Sequence, residues 1–143
     1  SISGYGGRVV LCPDLGHVPD DVLRAVAGCD MLVCETNHDE DWVRTGPYPH
    51  YLKRRILGDY GHLSNEAGAE LAAWAVEHGT KSVILAHLSQ QNNTPAHAYQ
   101  VVSLRLLSMG CTPGRDVSLS VAPRDVPGPI FRLKEAAVCS ASI

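Results

Sequence analysis

The sequence predicts an α/β layer fold, and three observations carry that expectation. Short β-branched runs recur at Arg8 to Cys12, Met31 to Cys34 and Ser82 to Ala86. Helical segments lie between them, at Pro19 to Ala27 by its start and stop residues and from Ser64 or Asn65 to His78 by its 3.6-residue apolar period. Turn residues punctuate both kinds of segment, and strands alternating with helices argue for a layered α/β architecture.

Each element has a local reason. Arg8 to Cys12 follows a glycine pair and reads as a strand, and Pro13 to His17 follows as a loop. Pro19 suits a first helical position, Asp20 and Asp21 suit the positive end, and Gly28 is the stop. Met31 to Cys34 is a second buried strand, closed by Glu35. Residues 37–61 are less regular, because Thr45-Gly46-Pro47-Tyr48-Pro49 breaks any helix, and Leu52 to Leu57 is a short helical piece. Ser64 or Asn65 caps the next helix, whose Ala67, Leu71 and Trp74 form a core stripe ended by Gly79. Ser82 to Ala86 is a third strand with His87 at its end. Thr94-Pro95 starts a helix that Gly110 stops, and Val117 to Val121 and Ile130 to Leu133 are two final strand candidates. Residues 134–143 read as a loosely held tail.

Composition bounds what the chain does. A length of 143 residues fits one domain, and 45% hydrophobic with 19% charged residues is globular rather than disordered composition. The formal net charge of -3 means that any nucleic-acid contact must come from a local patch. The cysteines Cys12, Cys29, Cys34, Cys111 and Cys139 are odd in number and never in Cys-x-x-Cys spacing. That excludes a zinc ribbon and favours reduced thiols in a cytoplasmic protein. No apolar run is long enough for a bilayer, and no signal peptide is visible.

In α/β folds, functional groups gather just past the carboxyl ends of strands. Asp14 follows the first strand with His17 close by, and Glu35-Thr36-Asn37-His38-Asp39 follows the second. His87-Leu88-Ser89 follows the third, trailed by Asn92 and Asn93, and Gly61-His62-Leu63-Ser64 precedes a helix start. Carboxylates and imidazoles on one edge make a site for Zn²⁺ or Mn²⁺. Singly, such an Asp is more often a turn residue, and such a His more often structural. Lys53-Arg54-Arg55, with Tyr48, His50 and Tyr51 before it, is a basic cluster with aromatic neighbours. It reads either as a solvated helical face or as a holder of nucleic-acid phosphates.

The strings Asp14-Leu15-Gly16-His17, Glu35-Thr36-Asn37-His38-Asp39, Lys53-Arg54-Arg55-Ile56-Leu57, Gly61-His62-Leu63-Ser64-Asn65 and Leu85 to Asn93 occur in that order. Together they resemble the second half of the YycJ/WalJ branch of metallo-β-lactamase-fold hydrolases, over residues from about 8 to 133. More distantly they are similar to ribonuclease Z and to the phosphonate-pathway cyclic phosphodiesterases. The resemblance implies the C-terminal half of a four-layer αββα sandwich and a site for two divalent metal ions, zinc or manganese. It implies that Asp14 bridges the metals and that His87 is a terminal ligand. It implies that His62 protonates the leaving oxygen, with Glu35 orienting its imidazole. His38 is either a support behind the site or a substrate contact.

Two departures qualify this. Pro13 stands where the branch commonly has Thr, which removes a backbone donor beside Asp14. No two of His17, His38, His50, His62, His78, His87 and His97 have His-x-His spacing, so the family's His-x-His-x-Asp-His motif is absent, as is the third-motif histidine. The expectation is therefore a partial domain over residues 1–143, inactive alone, whose intact parent is a phosphodiester hydrolase, a DNA exonuclease by its branch. A hydrolase of a small cyclic phosphodiester is one alternative. A non-catalytic half-domain that dimerises or pairs with the missing N-terminal half is another.

Overall fold

The computed structural model of the chain describes residues 1–4 and 6–133. The elements run β1 Ile2–Gly4, β2 Gly7–Cys12, α1 Asp20–Val26, β3 Met31–Glu35, α2 Glu40–Thr45, α3 His50–Ile56, α4 Asn65–Glu77, β4 Ser82–Ala86, α5 Pro95–Ser108 and β5 Ser118–Val121. They form one mixed sheet in the order β1-β2-β3-β4-β5, with only β1 antiparallel to its neighbour. The architecture is α/β, as the alternation predicts.

Three differences from the expectation have local causes. β1 carries no apolar alternation and exists through its antiparallel pairing with β2, which sets Gly4 opposite Gly7. α2 begins in an acidic string: Asp39 caps it by accepting from the Trp42 N–H at 2.9 Å, with Glu40 and Asp41 in its positive first turn. Ile130 to Leu133 is not a strand. Pro127 and Pro129 precede it and withhold donors, and Leu133 instead lies near Gly7 at the far edge of the sheet from β5. The tail expectation for residues 134–143 lies outside the described residues.

The sheet progresses in one direction through β2, β3, β4 and β5. Right-handed crossovers taken repeatedly in one direction place their helices on the same face. The core has that form. Alternate strand residues Val10, Cys12, Leu32 and Cys34 pack with Val26, Leu71 and Ala75. Val83 and Leu85 pack with Ala72, Val102 and Leu106. α4 is the central helix, and it buries Gly68, Ala69, Leu71, Ala72, Ala73 and Ala75, a wider face than one stripe. Trp74 is half-buried at its rim and donates Nε1–H to the Leu23 carbonyl at 3.2 Å. The opposite sheet face is apolar too, with Leu11 beside Val33 and Val33 beside Ile84, and Leu11 is 48% exposed. No helix among the described residues is long and apolar enough to cross a membrane.

Candidate metal centre at the strand ends

Parallel register sets the site. Cys12 pairs with Cys34 and Glu35 with Ala86, so β2, β3 and β4 end side by side. Asp14 lies two residues past β2, Glu35 is the last residue of β3, and His87 is the first past β4. His62 arrives from the segment before α4. That segment packs on the Asp14 loop: His17 Nδ1 lies 3.2 Å from the Asp59 carbonyl oxygen. Gly16 has no room for a side chain, because a Cβ would stand 2.1 Å from that same oxygen. The Asn37 N–H donates to the Leu63 carbonyl at 2.9 Å and ties this segment to the end of β3.

One ligand atom from each of Asp14, Glu35, His62 and His87 lies within 4.8 Å of the others. Glu35 is the hub. Its Oε1 lies 2.8 Å from Nδ1 of both His62 and His87, and its Oε2 accepts from the Leu15 N–H at 2.8 Å. Asp14 Oδ1 stands off at 3.6 Å from His87 Nδ1 and 3.8 Å from His62 Nδ1. Its side chain is 70% exposed, whereas that of Glu35 is fully buried. The two imidazoles meet edge to face, with centroids 5.1 Å apart. A carboxylate accepts only, so the shared contact places a hydrogen on each Nδ1 and leaves each Nε2 turned away from Glu35.

The backbone is bent to present these groups. Asp14 (φ 55°) and His87 (φ 60°) are the non-glycine residues with positive φ among the described residues. His87 is held there from both sides. Asn37 Nδ2–H donates to the His87 carbonyl at 2.7 Å, and the Ser89 N–H donates to the Asn37 carbonyl at 2.8 Å. Behind Glu35, α4 passes so closely that a Cβ on Gly68 would stand 2.4 Å from the Glu35 carbonyl oxygen. Asn65 and Asn93 exchange side-chain hydrogen bonds at 3.1 and 2.8 Å, and Asn93 Nδ2–H also donates to the Thr36 carbonyl at 2.9 Å.

The remaining predicted site residues separate. His38 is 1% exposed, and its Nδ1 and the Thr36 hydroxyl find no partner among the described residues. Burial holds its imidazole below the ordinary histidine range; Glu40 and Asp39 raise it and His62 lowers it further. It stands behind the site, away from solvent. Arg55 lines a cleft of about 440 Å³ with Asp14, Tyr60 and His62. Lys53 and Arg54 turn to another groove, of about 460 Å³, with Arg44 and His50. A cavity of about 660 Å³ adjoins His87 on its Leu88 side. Asn37 and Tyr60 escape sequence reasoning. The signal for Asn37 is its place two residues after Glu35, whereas Tyr60 is a lone aromatic in a turn. Burial first raises both the Cys12 and Cys34 thiols; Cys29 then raises Cys12 further, and Cys12 and Glu35 raise Cys34, so they pack rather than react.

A sheet with its helices on one face and carboxylates and imidazoles converging at its strand ends has the form of half a metallo-β-lactamase sandwich. No family model matches the chain. It is 36% identical over 124 residues to exodeoxyribonuclease WalJ of Streptococcus pneumoniae (serotype 2, strain D39), a match covering 87% of this chain and 46% of that protein. It is 40% identical over 103 residues to exodeoxyribonuclease YycJ of Bacillus anthracis, covering 72% and 39%. The chain thus spans less than half the length of the curated relatives it matches. These similarities support a place for the chain in the YycJ/WalJ branch of the metallo-β-lactamase fold.

Proposed function

We propose that the intact protein to which this chain contributes is a metal-dependent phosphodiester hydrolase that degrades DNA as an exodeoxyribonuclease. The observation that carries the reading is the gathering of Asp14, Glu35, His62 and His87 at aligned strand ends. Two carboxylates and two imidazoles fit a divalent ion of the zinc or manganese kind. Asp14 and His87 would hold the metal ions, two in the intact enzyme. Bound there, a divalent ion supplies Lewis-acid polarisation and neutralises charge on the phosphoryl group.

The chain's own residues do the rest. Glu35 fixes both imidazoles through Nδ1, so His87 presents Nε2 outward and His62, as imidazolium, donates from Nε2 to the departing oxygen. His62 and Glu35 are thus the proton-handling pair. Arg55, on the same cleft, meets the charge of the phosphate, and Lys53 and Arg54 serve the strand beyond it. His38 supports the site from behind. The protein fits the cytoplasm, where its buried thiols stay reduced.

The chain alone is inactive in this reading, because Asp14 and His87 do not close a metal site by themselves. Exposed Leu11 on the face opposite the helices favours a covering layer, supplied by the other half of the protein rather than by a second copy. The test is hydrolysis of 5′-phosphorylated duplex DNA and of bis-p-nitrophenyl phosphate by the complete protein with added zinc or manganese. The account expects DNA degradation that Asp14→Asn and His62→Gln each abolish. Turnover of the small ester with DNA untouched would shift the substrate to a small or cyclic phosphodiester. No hydrolysis of either would leave a non-catalytic half-domain.

A further inference from the structure

The basic run Lys53-Arg54-Arg55 is continuous in sequence but divided in space. His50, Lys53 and Arg54 of α3 and Leu57 at its C-cap fall at i, i+3, i+4 and i+7 and line one groove together with Arg44 of α2. Leu52, Arg55 and Ile56 fall at i, i+3 and i+4 on the next face and line the cleft that holds Asp14 and His62. None of the five residues lining the first groove is acidic, in a chain whose net charge is -3. The groove is also preformed: Lys53 Nζ–H donates to the Arg44 carbonyl at 2.6 Å and pins α3 to the last turn of α2.

We propose that this groove is a second phosphate-binding place, in which Arg44, His50, Lys53 and Arg54 hold a backbone phosphate of a DNA strand whose reacting phosphate lies at the Arg55 cleft. The proposal rests on the nuclease reading and deepens it. α3 then acts as a ridge over which the strand bends. Arg44 now pairs with Glu40 at 2.8 Å, an exposed i,i+4 pair worth little, so exchange of that carboxylate for a phosphate costs little. Tyr60, 99% exposed on the lip of the cleft, gives a base between the two phosphates a face to stack on. The chemistry recognised is the phosphodiester backbone, without base readout.

The test uses the chain as it stands, in EDTA, so that no metal enters. Binding of a fluorescently labelled single-stranded oligodeoxynucleotide is followed by anisotropy between about 50 and 200 mM salt. Arg54→Gln removes an exposed head and leaves the Lys53 pin intact; thermal melting checks its fold. The slope of log K against log salt should shrink by about 0.7 for the lost contact, and by about 1.4 in Lys53→Gln/Arg54→Gln. Arg115→Gln, at a residue paired with Asp116 outside the groove, should leave the slope unchanged. In the complete protein, Arg54→Gln should slow degradation of DNA and spare bis-p-nitrophenyl phosphate, which does not reach the groove. Wild-type slopes in both groove variants, or equal loss on both substrates, would overturn the second site while the nuclease reading stood. Failure of the wild-type complete protein on both substrates would instead strike the nuclease reading itself.

Discussion

The two ends of the sheet turn the chain in opposite ways. At the end where the chain enters its parallel strands, the left-handed residues are glycines: Gly28 before β3, Gly79 before β4, Gly110 and Gly114 before β5. Gly79 and Gly110 have open space where a Cβ would go, so backbone conformation alone explains glycine there. At the end where the chain leaves the strands, the left-handed residues are Asp14 and His87. Asp and His tolerate that region better than branched residues do, yet glycine would sit there more easily. One end is built for turning. The other accepts strain to aim two side chains at a common point, and it spends buried amides on holding them.

The comparison is broken hardest at its hub. Glu35→Ala removes the buried acceptor shared by the Leu15 N–H and two partly exposed imidazoles and should cost about 1–3 kcal/mol by urea unfolding. It should also weaken metal uptake by about 10–100-fold. An unchanged melting curve would mean that Glu35 is not the organiser. Gly68→Ala drives a methyl into the Glu35 carbonyl and should cost about 1–3 kcal/mol, with lost metal uptake although the residue touches no metal ligand side chain.

Two milder changes sharpen the contrast between the ends. Gly79→Ala should destabilise by about 1 kcal/mol, because alanine resists φ of 105°. Asp14→Gly should do the opposite, raising stability by about 0.5 kcal/mol while metal uptake disappears. Destabilisation by Asp14→Gly would show that the aspartate is structural. A further mild effect concerns pH. Burial raises the Asp39 carboxyl, but hydrogen bonds from Trp42 and His97 outweigh it and hold it below the usual range. A depressed carboxyl stabilises above its unfolded value of about 3.9 and loses that contribution as pH falls through the folded value. Asp39→Asn should therefore flatten the acid limb of stability against pH, at a cost near 0.5–1 kcal/mol at neutral pH.

Much of this was legible in order along the chain. β-Branched runs located β2, β3 and β4, and proline and glycine located the ends of α1, α4 and α5, because those signals are local. β1 and α2 were not legible. One depends on pairing with β2, and the other hid in an acidic string that reads equally as strand-end chemistry. Asp14, Glu35, His62 and His87 stood out by type and place. The double contact of Glu35 Oε1 did not, since it depends on register between strands fifty residues apart in sequence. The split of the basic run needed the handedness of α3, and the burial of His38 needed its bridge to Ser64, distant in sequence.

Zinc titration of the chain, followed in long-range ¹H–¹⁵N spectra of its histidine rings, tests the centre directly. The account predicts weak, saturable shifts at Nε2 of His87, with His62 responding and His78 and His97 silent, and loss of those shifts in Asp14→Asn. Shifts spread over all histidines, or an Asp14→Asn variant that binds zinc as the parent chain does, would contradict it.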